Sequence, residues 1–104
     1  METIEVHVEF DQMSQGWHSD KEVSLLFLKH TAAYLNNVMA IRGYVFLNEV
    51  YDALGVDRTS LGGVVGWSLD NPLPITINVV DERDTGALIL DIPDAEFVLG
   101  RLKS

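Results

Sequence analysis

The chain has 104 residues, enough for one hydrophobic core and too few for two, so a single domain spanning residues 1–104 is expected. With 47% of residues hydrophobic, 22% charged and no cysteine, it reads as an ordinary globular chain, and a disulfide framework, thiolate zinc sites and cysteine nucleophiles are excluded. Sixteen acidic residues against seven basic ones leave a formal net charge of −9, which argues against direct nucleic-acid binding, where Lys and Arg must meet phosphates, and favours a basic protein partner. The same acidity also serves solubility.

The N-terminal METIEVHVEFD is broken by acids, unlike a secretory signal, and no apolar run approaches the ~18 residues of a membrane span. A soluble, cytoplasmic protein with no membrane partner is expected. Residues 3 to 10 alternate, with Ile4, Val6, Val8 and Phe10 on one face and Glu5, His7 and Glu9 on the other, the period of a half-buried strand. DQMSQGWHSD follows as a polar loop. Ser19 or Asp20 then caps a helix that begins at Lys21 and ends at Arg42, before Gly43. Its apolar stripe is read as Val23, Leu26, Phe27, Tyr34, Val38 and Ile41, widened by Leu25, Leu28, Ala32, Leu35 and Met39. So wide a stripe predicts a helix buried on two sides, by a second helix or a second subunit.

YVFL predicts a short strand, and NEVYDALG a short helix with Asn48 as cap and Gly55 as stop. VDRTSLGGVVGWSL passes through a turn into a strand from about Val64 to Leu69; the glycines before the strand permit positive φ or close packing, and Gly66 next to Trp67 marks a bulge. DNPLP is a turn, and ITINVV a strand with Ile75, Ile77 and Val79 facing one way. DERDTG turns into a last strand, ALILDI, which Pro93 ends, leaving DAEFVLGRL for a terminal half-turn or short helix. The expected fold is α+β, with one long helix and a short helix packed on a mainly antiparallel sheet of about four to five strands.

Asp84-Thr85-Gly86-Ala87 resembles the signature of retroviral-type aspartic proteases, in which two subunits pair their carboxylates. Only eighteen residues follow Gly86, too few for a flap and the supporting strands, and Glu82 and Arg83 stand where apolar residues are required. The motif is read as a hairpin turn. Glu5, His7 and Glu9, spaced i, i+2, i+4, have the chemistry of zinc or manganese ligands, with His18 as an additional candidate; the solvated face of a one-sided sheet gives the same pattern. His30 is read as a core or rim residue of the long helix. No serine lies in a G-x-S-x-G elbow, and the glycines of SLGGVVGW match no phosphate-binding loop. No catalytic residue, metal or cofactor is assigned.

The stretch GYVFLNEVYDALGVDRTSLGGVVGW, Gly43 to Trp67, followed by ITINVVD, resembles small proteins of unknown function from bacteriophages, prophages and mobile elements. In these, an FLN-V-ALG helix leads into an R-T-x-x-G-x-V-x-GW turn and strand. The resemblance implies an α+β accessory protein and transfers no active site. The functional expectation is therefore a non-enzymatic acidic protein-binding module, an accessory or inhibitor protein of the anti-CRISPR or anti-restriction type. Its candidate partner-binding residues are Glu49, Asp52, Asp57, Asp81, Glu82, Asp84 and Trp17, whereas Trp67 is expected in the core. The alternative is a homo-oligomeric structural or assembly protein built through the long helix.

Overall fold

One ten-residue strand organises the sheet. The computed structural model describes residues 4–70 and 74–98. The elements are β1 (Ile4–Phe10), α1 (Lys21–Arg42), β2 (Tyr44–Phe46), α2 (Leu47–Leu54), a 3-10 turn at Leu61–Gly63, β3 (Val65–Ser68), β4 (Asn78–Glu82) and β5 (Leu88–Phe97). Residue 3, the centre of DNPLP and the end of DAEFVLGRL lie outside the described residues. All strand pairs are antiparallel, in the order β1-β5-β3-β2, with β4 also on β5. Leu90 is opposite Val8 on β1 and Val79 on β4, so β5 is flanked on both sides there. This is the expected α+β fold, two helices on a five-stranded antiparallel sheet. Among the described residues no helix is long and apolar enough to cross a membrane.

The period-2 alternation of β1 and β5 supplies the floor of the core: Val6, Val8, Phe10, Leu88, Leu90 and Ile92 are all buried, as are Leu28, Leu35 and Met39 of α1. Phe10 stacks on Phe27 of α1 with ring centroids 5.9 Å apart. The buried face of α1 differs from the expected stripe. It runs through Ser24, Leu28, Thr31, Leu35 and Met39, while Val23, Leu26, Tyr34 and Ile41 are exposed, Ile41 by 89%. Two polar residues enter the core because their hydroxyls are satisfied locally. Ser24 Oγ donates to His18 O (2.9 Å) and accepts from His18 N–H (2.8 Å), and Thr31 Oγ1 donates to Phe27 O (2.8 Å). Within one chain the helix is thus covered on one side, and among the described residues no second helix covers the other.

Its ends follow the sequence. Asp20 caps the start by accepting from Glu22 N–H (3.0 Å), and Gly43 closes the end by donating to Met39 O (2.7 Å). The short helix starts earlier than expected. Its N-cap is Phe46, whose N–H donates to Glu49 Oε2 (2.8 Å), so Glu49 and not Asn48 closes the terminus. Asn48 is used elsewhere: its Nδ2 donates to Thr59 O (2.9 Å) and its Oδ1 accepts from Thr59 N–H (2.9 Å), holding the following loop against α2.

Pro93 does not end the last strand. Between Val6↔Ile92 and Ile4↔Ala95, β5 carries one more residue than β1, a bulge in which Asp94 adopts φ 67°. A proline costs the ladder nothing where the ladder is already interrupted, and the strand resumes to Phe97. Trp67 is in the core as expected, and its Nε1–H donates to Pro93 O (3.0 Å). Gly66, by contrast, is no bulge. It is opposite both Phe46 and Glu96, and a Cβ there would lie 2.0 Å from Val45 O, so only glycine lets β2 and β3 approach this closely.

Candidate functional site

The β1–α1 loop, the α2–β3 loop and the β4–β5 turn meet at one end of the sheet. The first of these is held by its own polar groups. Asp11 accepts from Met13 N–H through Oδ1 (2.9 Å), and Ser14 N–H donates to Asp11 O (2.8 Å). This tight turn leaves Met13 84% exposed. A depression of about 500 Å³ beside it is lined by Glu9, Asp11, Gln12, Met13, Thr85 and Ala87. A smaller one of about 150 Å³ shares Glu9, Asp11 and Met13 and is closed by Gly55, Val56 and Asp57. Among the described residues, no Lys or Arg lines either hollow. An exposed thioether ringed by carboxylates is suited to a cationic side chain with an apolar stem, such as Lys or Arg.

The DTGA segment is the turn that closes this end. Arg83 N–H donates to Ala87 O (2.8 Å), Gly86 N–H donates to Arg83 O (2.9 Å), and Gly86 has φ 89°, a left-handed conformation that glycine adopts without strain. Trp17 fastens it. Its Nε1–H donates to Gly86 O (3.1 Å) and its half-buried ring packs on the core, so it links the first loop to the hairpin.

The acids singled out from the sequence do not form one group. Glu49 pairs with Arg42, and Asp52 with Arg58. Both line a cleft of about 340 Å³ between α1 and α2 with Tyr34, Val38 and Arg42. Asp81 pairs with Arg83 (3.6 Å) and Glu82 with Lys21, both on the β4 side. Asp57 joins the acidic end, and Asp84 is exposed in the adjacent turn. Hydrogen bonding from Arg58 holds the Asp52 carboxyl below its ordinary range, and Glu49 holds the Arg42 guanidinium above its own. Charges matched in this way offer a partner less than Glu9, Asp11 and Asp57 do. Glu9 and Asp11 are not among the partner-binding residues expected from the sequence, where Glu9 stands only as a candidate metal ligand. Their signal was present in the period-2 placement of Glu9 at the end of β1, next to the loop.

On the outer face of the sheet, Glu5 and His7 keep their predicted adjacency but Glu9 leaves the set. His7 is opposite Asp91 and Glu9 opposite Ile89. His7 Nε2 lies 3.8 Å from Glu5 Oε2, and His7 Nδ1 lies 3.9 Å from Asp91 Oδ1. One donor atom from each of Glu5, His7 and Asp91 falls within 4.8 Å of the others. His18 is engaged at the start of α1, where its Nδ1 accepts from Asp20 N–H (2.9 Å). His30, expected in the core or at its rim, is exposed.

No curated protein and no solved structure matches the chain. A family model does, over residues 2–96, which takes in every described element but the last residue of β5: the chain belongs to DUF6353, a family of unknown function.

Proposed function

We propose that the chain is a non-enzymatic protein-binding module whose acidic end takes up Lys or Arg side chains of a basic protein. The observation that carries this reading is the convergence of Glu9, Asp11 and Asp57 on the hollows beside the exposed Met13, which no basic residue lines among the described residues. Like charges lining one hollow gain from a cationic partner, which they attract over the Debye length of about 8 Å at physiological salt. The resemblance of Gly43 to Trp67 to small phage and mobile-element proteins extends the proposal. On it, the module is an accessory or inhibitor protein acting in the bacterial cytoplasm, of the kind that covers the basic groove of a nucleic-acid enzyme and does not itself touch nucleic acid. The test is capture from bacterial lysate by the immobilised protein. A basic protein retained at low salt and released at about half-molar salt is expected, because screening shortens the Debye length to a few Å. Retention that is indifferent to salt contradicts the reading.

A second reading rests on α1. Val23, Leu26, Tyr34 and Ile41 fall on one stripe of the helix, away from Leu28, Leu35 and Met39, and all four are exposed. In this reading a second copy covers the stripe and the protein is a homo-oligomeric assembly component. Light scattering tests it. A dimer that resists salt and is lost in Leu26→Asp supports it, and a monomer at tens of micromolar excludes it.

A further inference from the structure

We propose that Glu5, His7 and Asp91 form a divalent-cation site of the zinc type on the outer face of the sheet. The donor atoms come from two strands held in fixed register: Glu5 and His7 are two residues apart on β1, and Asp91 is directly opposite His7 on β5. Each contributes one donor within 4.8 Å of the others. In a tetrahedral zinc site with metal–ligand bonds near 2.1 Å, neighbouring donors stand roughly 3.4 Å apart. His7 meets the two carboxylates through different ring nitrogens, Nε2 at 3.8 Å from Glu5 Oε2 and Nδ1 at 3.9 Å from Asp91 Oδ1. With one nitrogen given to the ion, the three donors, which lie within 4.8 Å of one another, must draw together by roughly an ångström. The Glu5 and His7 side chains, 70% and 60% exposed, have the freedom to close the gap.

Asp91 gives the second, independent observation. Its Oδ1 is shielded from solvent and accepts no hydrogen bond from any described residue, although it lies on the His7 side of the cluster. A shielded carboxylate oxygen without a donor is costly, and a cation between Asp91 and His7 removes that cost. It also offsets the repulsion between the Glu5 and Asp91 carboxylates. Imidazole with two carboxylates favours zinc over magnesium or calcium, which prefer all-oxygen shells. Three protein donors leave a fourth tetrahedral position for water or for a donor from another molecule. Because the ligands lie on β1 and β5, bound metal ties those strands together and raises the stability of the fold by mass action.

The experiment is calorimetric titration of the metal-stripped full chain, without a histidine tag, with zinc chloride, repeated with magnesium chloride. One equivalent of zinc per chain is expected, with a melting temperature that rises with zinc concentration and no comparable response to magnesium. His7→Ala and Asp91→Asn should each weaken zinc binding at least about tenfold, while His18→Ala and His30→Ala leave it unchanged. Circular dichroism establishes that each variant is folded, and Glu5→Gln, at an exposed position, replaces Asp91→Asn if the latter is not. No saturable zinc binding, binding retained in folded His7→Ala, or binding lost through His18 or His30 overturns the proposal.

Discussion

The side-chain amide of Asn36 grips the backbone of Ile75 from both ends. Nδ2 donates to Ile75 O (2.8 Å) and Oδ1 accepts from Ile75 N–H (2.8 Å), while Nδ2 also donates to Ala32 O (2.9 Å). The amide thus does for the segment before β4 what a neighbouring strand would do, and it seats Ile75, 1% exposed, against the core. Asn36→Ala leaves both Ile75 backbone groups without this partner. The expected loss is about 2 kcal/mol, read from denaturant unfolding. A change below about 0.5 kcal/mol would show that water replaces the amide without penalty.

Two glycines separate steric clash from backbone strain. Gly43 has φ 98° with open space around a built Cβ, whereas at Gly66 that atom would meet Val45 O at 2.0 Å. Gly43→Ala should cost about 1 kcal/mol from its left-handed conformation alone. Gly66→Ala should cost about 3 kcal/mol or more, because β2 and β3 must part to admit the methyl group. Thermal melts of the two variants check the ranking, and equal costs would contradict the β2–β3 packing described above.

The Asp52–Arg58 pair gives a signed pH effect. Hydrogen bonds from Arg58 to Asp52 lower the folded-state pKa of this carboxyl below its ordinary value of 3.8. The pair therefore contributes stability above that ordinary value and loses it as pH falls through the depressed folded one. Both side chains are exposed, so the contribution is small and screened by salt. NMR titration of the Asp52 carboxyl should show a midpoint below 3.8 that returns towards it in Arg58→Ala. A wild-type midpoint at or above the ordinary value would contradict the geometry.

Trp17 joins two loops through a single polar atom. Trp17→Phe keeps most of the ring and removes the donor to Gly86 O, so the fold should lose about 1 kcal/mol. The loosening should concentrate in the β4–β5 turn, where hydrogen exchange at Gly86 and Ala87 should accelerate more than in β1. Uniform acceleration would instead mean that the ring itself, not its N–H, holds the turn.

What the sequence disclosed follows the range of the interactions involved. Caps are local: Asp20, Gly43 and Gly55 are legible because their partners lie within a few residues. The DTGA turn is legible for the same reason. The buried face of α1 is not, because Ser24 and Thr31 look unfit for a core until His18 O and Phe27 O are seen to accept their protons. Nor is the continuation of β5 through Pro93, which depends on a bulge opposite β1. The candidate sites fail in the same way. Asp91 joins His7, and Asp57 joins Glu9, only through strand register and loop convergence, neither of which residue spacing encodes. Alternation placed Glu5, His7 and Glu9 on one face correctly but was silent on which neighbours stand across from them.

On the proposed function, the acidic end rather than the total charge selects the partner. The direct measurement is capture from the same bacterial lysate at low salt by the wild-type chain and by the triple variant Glu9→Lys, Asp11→Lys, Asp57→Lys, with Glu49→Lys, Asp81→Lys, Asp84→Lys as a variant of equal net charge. The first triple variant is expected to lose the basic partner and the second to retain it. Equal retention by all three proteins, or equal loss in both variants, would contradict it.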